Sequence, residues 1–136
     1  MADRYTVAVD FDGVIHRYDT PWIAAHVIPD GPVDGSIEWL WRTIQKFDVA
    51  IHTTRGRWPW GRWAVRRWLR KHAGSLWNES PGMRGLEDVT VTHKKIAALI
   101  YLDDRAVRFD GSNFPDANAI HALRPWNKPR GKHGAS

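Results

Sequence analysis

Cysteine is absent from the 136-residue chain, which excludes a disulfide framework, a thiolate metal site and a cysteine nucleophile together. Any metal must be held by oxygen or imidazole. The seven histidines, His16, His26, His52, His72, His93, His121 and His133, include no pair at the i, i+4 spacing that sets two ligands on one helix face. Also missing is any apolar run near the roughly 18 residues that a membrane span needs. The start Met1-Ala2-Asp3-Arg4 has no basic-then-apolar signal pattern, so the expectation is a cytoplasmic protein with no membrane partner. Acid is missing from one stretch altogether: residues 55 to 71 carry seven basic side chains and no Asp or Glu.

What is there is globular in composition, 43% hydrophobic and 26% charged, which argues against disorder. A chain of this length fits one domain, expected over residues 1–125, with a basic tail, 126–136, marked by Pro129 and Gly131. The net charge of +5 is uneven. Residues 1 to 54 hold eight acids against four bases, residues 72 to 123 seven acids against five bases, and the last thirteen residues add four bases.

Tyr5-Thr-Val-Ala-Val-Asp10 reads as a buried strand that stops at Phe11-Asp12-Gly13. Residues 16 to 35, rich in Pro, Gly and Asp, read as an irregular excursion. Ser36 is placed to cap a helix whose apolar positions Ile37, Leu40, Trp41 and Ile44 recur at helical spacing. Phe47 to His52 is the second strand. A helix is expected from about Gly61 to His72, with Ala64, Val65, Trp68 and Leu69 inward and Gly74 as its stop. Val89 to Val91 is a third strand, a brief helix leads into a fourth, Leu99 to Leu102, and Ala119 to Leu123 reads as a fifth. Strands alternating with helices predict an α/β fold, a parallel sheet of about five strands covered on both faces in a three-layer sandwich.

In such a sheet the strand ends share one edge, so Asp10 with Asp12, Thr53, and Asp103 with Asp104 should converge, with Lys95 in the loop before the last strand. A strand-end Asp alone is ordinarily a turn residue or cap. Together these groups suit phosphoryl transfer: carboxylates hold a hard cation such as Mg²⁺, while a hydroxyl and a lysine hold phosphate oxygens. One carboxylate can attack phosphorus, and a second two residues on can move the proton.

Val7-Ala-Val-Asp-Phe-Asp-Gly-Val14, Thr53 two residues before Arg55, Lys95, and Leu102-Asp-Asp-Arg105 resemble, in order, the four motifs of the haloacid dehalogenase superfamily. The resemblance covers roughly residues 5 to 125 and implies its Rossmann-like fold. It implies Asp10 as nucleophile and Asp12 as acid/base, Mg²⁺ held by Asp10, the Asp12 backbone carbonyl, Asp103 and Asp104, and phosphate held by Thr53 and Lys95. Thr54 competes with Thr53, and Lys94 with Lys95, whose distance to Asp103 suits the family pattern better. Arg55 and Arg105 can brace acidic neighbours, and His16 is a candidate substrate contact.

About forty residues separate the first motif from the second and the second from the third, too few for a cap domain, so the chain resembles small capless members, including bacterial and bacteriophage hydrolases and polynucleotide 3′-phosphatase domains. The implied function is Mg²⁺-dependent phosphate-monoester hydrolysis on phosphorylated DNA or RNA ends. The alternatives are a phosphatase for small nucleotides or sugar phosphates, and a nucleic-acid binding module with an idle site. Arg55, Arg57, Trp58, Trp60 and Trp63 form the candidate substrate strip, since arginines hold backbone phosphates and aromatic rings stack on bases. The competing reading is a general tryptophan bias in a chain with nine of them, with Trp39, Trp41 and Trp68 in the core. The sequence leaves the oligomeric state open.

Overall fold

The structure, a computed structural model, describes residues 4–123. Four strands, β1 (Thr6–Asp10), β2 (Asp48–His52), β3 (Thr90–Thr92) and β4 (Ile100–Leu102), form one all-parallel sheet in the order β3-β2-β1-β4. Three helices accompany it: α1 (Ser36–Ile44), α2 (Pro59–Ala73) and α3 (Ala117–Ala122). The predicted tail lies outside the described residues. No helix among the described residues is long and apolar enough to cross a membrane.

The register explains how the sheet is covered. Val9 and, on β2, Val49 and Ile51 share one face, and they pack in a single cluster with Ile37, Leu40 and Ile44 of α1 and Val65, Trp68 and Leu69 of α2. Both crossovers, β1 to β2 and β2 to β3, step the same way along the sheet, so the right-handed rule sends both helices to this face. The step from β3 to β4 runs back past β2 and β1, so the same rule sends residues 93–99 over the other face. Ala8 and Ala50 lie on that face, and both are buried. The Tyr101 hydroxyl bonds both the amide and the carbonyl of Ile96, tying segment and sheet together.

The brief helix expected before the fourth strand is therefore replaced by irregular chain with bends at His93, Lys94 and Leu99: seven residues must cross two strands, and a helix rising only about 1.5 Å per residue is too short for that span. The expected fifth strand is also a correction. Ala119–Leu123 falls mostly within α3, because Asp116 accepts a hydrogen bond from the Ala119 amide as N-cap and the alanines favour helix. Among the described residues the sheet has four strands, and β4 is an edge with Ile100 and Leu102 respectively 51% and 40% exposed. At α1 the cap position belongs to Gly35, at φ 81°, where a side chain would be strained. Ser36, expected there, instead donates its hydroxyl proton to the Ile15 carbonyl at 3.3 Å.

Candidate functional site

β1 is the place where the sheet's connections change direction, with β2 on one side and β4 on the other. Open α/β sheets have a crevice at such a point, outside the carboxyl ends of the strands. Asp10 is the last residue of β1, and Asp103 and Asp104 follow β4 directly. One carboxylate oxygen from each of the three lies within 4.8 Å of the others.

These acids crowd one another. Burial, then the charge of Asp103, then hydrogen bonding to and the charge of Asp104 push the Asp10 carboxyl up to about 8, against the pull of the Phe11 amide, which donates to it at 2.9 Å. Asp103 accepts from the Arg105 amide at 2.7 Å. Asp104 Oδ1 is buried and has no hydrogen-bond partner. Gly13 makes room for Asp104: its φ is 91°, and a Cβ there would stand 2.4 Å from Asp104 Oδ2. The all-oxygen donor set, the orphaned Oδ1 and the mutual repulsion all fit a hard divalent cation such as Mg²⁺.

Asp12, two residues on, lies in different surroundings. Arg55 Nε donates to both its oxygens, at 3.2 and 3.0 Å, while Arg55 Nη1 donates to the carbonyls of Ala24, Ala25 and Val27. The Arg55 guanidinium also lies 4.4 Å from the centre of the Trp22 ring. His16 Nδ1 is 2.8 Å from Asp12 Oδ1, and its Nε2 accepts from the Asp30 amide at 3.1 Å. That second bond sets the tautomer: Nδ1 carries the proton and donates it to Asp12. Stacked on Phe11 and edge-on to Trp68, the His16 ring is fully buried. His16 is thus a brace for Asp12 and no substrate contact, and Arg55 leaves the substrate strip for the same reason.

Thr53 follows β2, buried, with its Oγ1 accepting from the Arg55 amide at 3.2 Å; the hydroxyl proton remains to be donated. Thr54 is exposed in the short 3₁₀ turn Thr54–Arg57. Lys94 and Lys95 are exposed in the segment that crosses the Ala8 face, the face Asp10 shares, and among the described residues no ion pair ties either ammonium to the carboxylates. Trp60 and Trp63 are exposed, and Trp58 is half-buried and stacked on Trp60. Asp30, which carries the far end of the His16 bridge, was missed by the sequence reading. Its signal was weak, an Asp in a Pro/Gly-rich excursion.

Fold and site together define an α/β protein with a parallel sheet and an acidic cluster at its topological switch point. Compared with known family models, curated proteins and solved structures, the chain matches none.

Proposed function

We propose that the protein is a Mg²⁺-dependent phosphomonoester hydrolase that works through an aspartyl-phosphate on Asp10. The observation that carries this reading is the meeting of Asp10 with Asp103 and Asp104 at the switch point, with a second acid two residues on. The four motif resemblances to the haloacid dehalogenase superfamily support it. Mg²⁺ would be held by the carboxylates of Asp10, Asp103 and Asp104 and by the Asp12 carbonyl; when bound, it offsets the charge of carboxylates and phosphate.

With a cation offsetting its charge, Asp10 would react as the carboxylate: one oxygen attacks phosphorus as the ester P–O bond breaks, and the leaving oxygen keeps that bond's electron pair and takes the proton that Asp12 carries on Oδ2, the oxygen His16 does not reach. Water then attacks the same phosphorus, gives a proton back to Asp12, and the Asp10–phosphate bond breaks. Thr53, with its hydroxyl proton unspent, donates to a phosphate oxygen, and Lys95 supplies a cation from segment 93–99. Arg55 and His16 hold the Asp12 carboxylate in one position through both half-reactions.

The test is a Mg²⁺ screen over p-nitrophenyl phosphate, mononucleotides, sugar phosphates and 3′- and 5′-phosphorylated oligonucleotides. Hydrolysis should vanish with a chelator, return with Mg²⁺, and be lost in Asp10→Asn. Residual turnover in that variant above about a tenth of the parent would sink the covalent route. The engagement of Asp12 by Arg55 and His16 favours a second reading, a binding module with an idle site. It prevails if none of the esters is turned over while phosphorylated ligands still bind in chelator.

A further inference from the structure

On α2, the exposed residues Trp60, Trp63, Arg67, Arg70 and Lys71 fall within one sector of about 100°, the sector opposite the buried Val65 and Leu69. This stripe is about 16 Å long at the rise of an α-helix. Trp60 and Trp63 are 54% and 60% exposed. The rings and cations are interleaved: Arg67 lies over the Trp63 ring at 5.1 Å, and Arg57 over Trp58 at 5.7 Å, with Trp58 stacked on Trp60.

Not every cation of this basic stretch is available. Arg55 is spent on Asp12, Arg62 donates to the Gly56 carbonyl at 2.6 Å, and Arg66 donates to Val89 and Glu87 carbonyls. Arg57, Arg67, Arg70 and Lys71 form no ion pair among the described residues, and no acid occurs between residues 55 and 71. The surface therefore offers unpaired positive charge beside flat, exposed π-faces.

We propose that this face of α2 binds single-stranded nucleic acid, its arginines and lysine on backbone phosphates and Trp60 and Trp63 stacked with bases. Stacking platforms beside a positive track are what sequence-tolerant strand binding requires. A membrane surface fits less well: an interfacial helix turns its aliphatic residues outward, and here Val65 and Leu69 are in the core. The stripe also has a direction. β2 ends in register with Asp10, and the Trp60 end of α2 starts just beyond it, where Gly61 packs on the Arg55 carbonyl behind Asp12. A strand on the stripe thus has one end at the acidic edge. That a phosphorylated terminus is delivered there rests on the hydrolase reading; the binding itself does not.

The experiment is fluorescence anisotropy of a labelled unphosphorylated oligothymidine on full-length Asp10→Asn in chelator, so that turnover plays no part. Binding is expected to weaken with salt at a log–log slope of about −3, for four cations at about −0.7 each. Trp60→Ala with Trp63→Ala should weaken it at least about tenfold, and Arg67→Glu should do so with a shallower slope. Arg42→Glu, the same charge reversal placed on α1, should change affinity by less than about twofold. Circular dichroism identifies unfolded variants, and Arg67→Glu, at an exposed position, carries the test if the tryptophan pair fails to fold. Absence of binding at low salt, insensitivity to these variants, or their loss of self-association or of anionic-vesicle binding in place of strand binding would overturn the proposal. p-Nitrophenyl phosphate turnover by the parent, measured separately, decides the hydrolase reading on its own.

Discussion

Two carboxylates two residues apart, Asp10 and Asp12, sit in opposite electrostatic worlds. Asp12 is surrounded by donors, a buried arginine and a histidine whose proton points at it. Asp10 is surrounded by acids and pushed up to about 8 by burial and by Asp103 and Asp104. A charge met by protein donors is held in one position, whereas acids gathered without a counter-charge repel one another, and that repulsion is what the proposed cation would relieve. The difference teaches that one short motif can hold both roles, and each side of it can be broken separately.

The largest effect should come from removing the Asp12 brace. Arg55→Ala leaves a carboxylate that is only 16% exposed without its cation and three carbonyls without their donor, and should cost about 3–5 kcal/mol in chemical denaturation. Arg55→Lys should recover only part of that, because one ammonium cannot serve Asp12 and the Ala24, Ala25 and Val27 carbonyls in the geometry of a fork. A loss below about 1 kcal/mol would place the pair among ordinary surface bridges.

On the other side, Gly13→Ala disturbs the acidic frame without removing an acid. The forced φ of 91° should cost about 1–2 kcal/mol, and the new methyl must displace Asp104. The Mg²⁺ concentration for half-maximal activity, or for half-maximal thermal protection, should rise; an unchanged value would separate Asp104 from the cation.

The smallest effect is a pH trend that only the Asp10 side should show, because solvent reaching the half-buried Asp10 and the exposed Asp103 lets only part of the shift appear as stability. An acid whose folded value is raised from 3.8 to about 8 keeps in the native state a proton that the unfolded chain has released. Its contribution is therefore most favourable below about pH 4 and is lost as pH climbs toward 8. Without metal, the melting temperature of the parent should fall by a few degrees from pH 5 to pH 8 relative to Asp10→Asn, and Mg²⁺ should restore more at pH 8 than at pH 5. Parallel profiles for the two chains would remove the repulsion from the account.

The legible parts of this molecule were those governed by period and strand end. β1 and β2 announced themselves as β-branched runs, α2 by its 3.6-residue stripe, and the meeting of Asp10 with Asp103 and Asp104 followed from parallel strands ending on one edge. The chain between 93 and 99 was not legible, because its form depends on having to cross two strands in seven residues, a fact of topology. Nor was α3, where a cap at Asp116 outweighs an apolar pair that reads equally well as strand. Least legible was the Asp12 brace. It needs carbonyls from the irregular residues 24 to 27 to converge on one guanidinium, and no spacing encodes that.

The pairing of β1 with β4 has a kinetic side. It joins Val7 to Ile100, the longest loop closed anywhere in the sheet, through three residue pairs, as many as join β2 to β3. Loop closure of that length makes it a late contact. Yet this pair is what carries Asp103 and Asp104 to Asp10. A cation shared among them would act as a clasp on the longest-range seam of the sheet, so occupancy of the site would register as slowed hydrogen exchange at the amides of Ile100 to Leu102, far more than at those of β2.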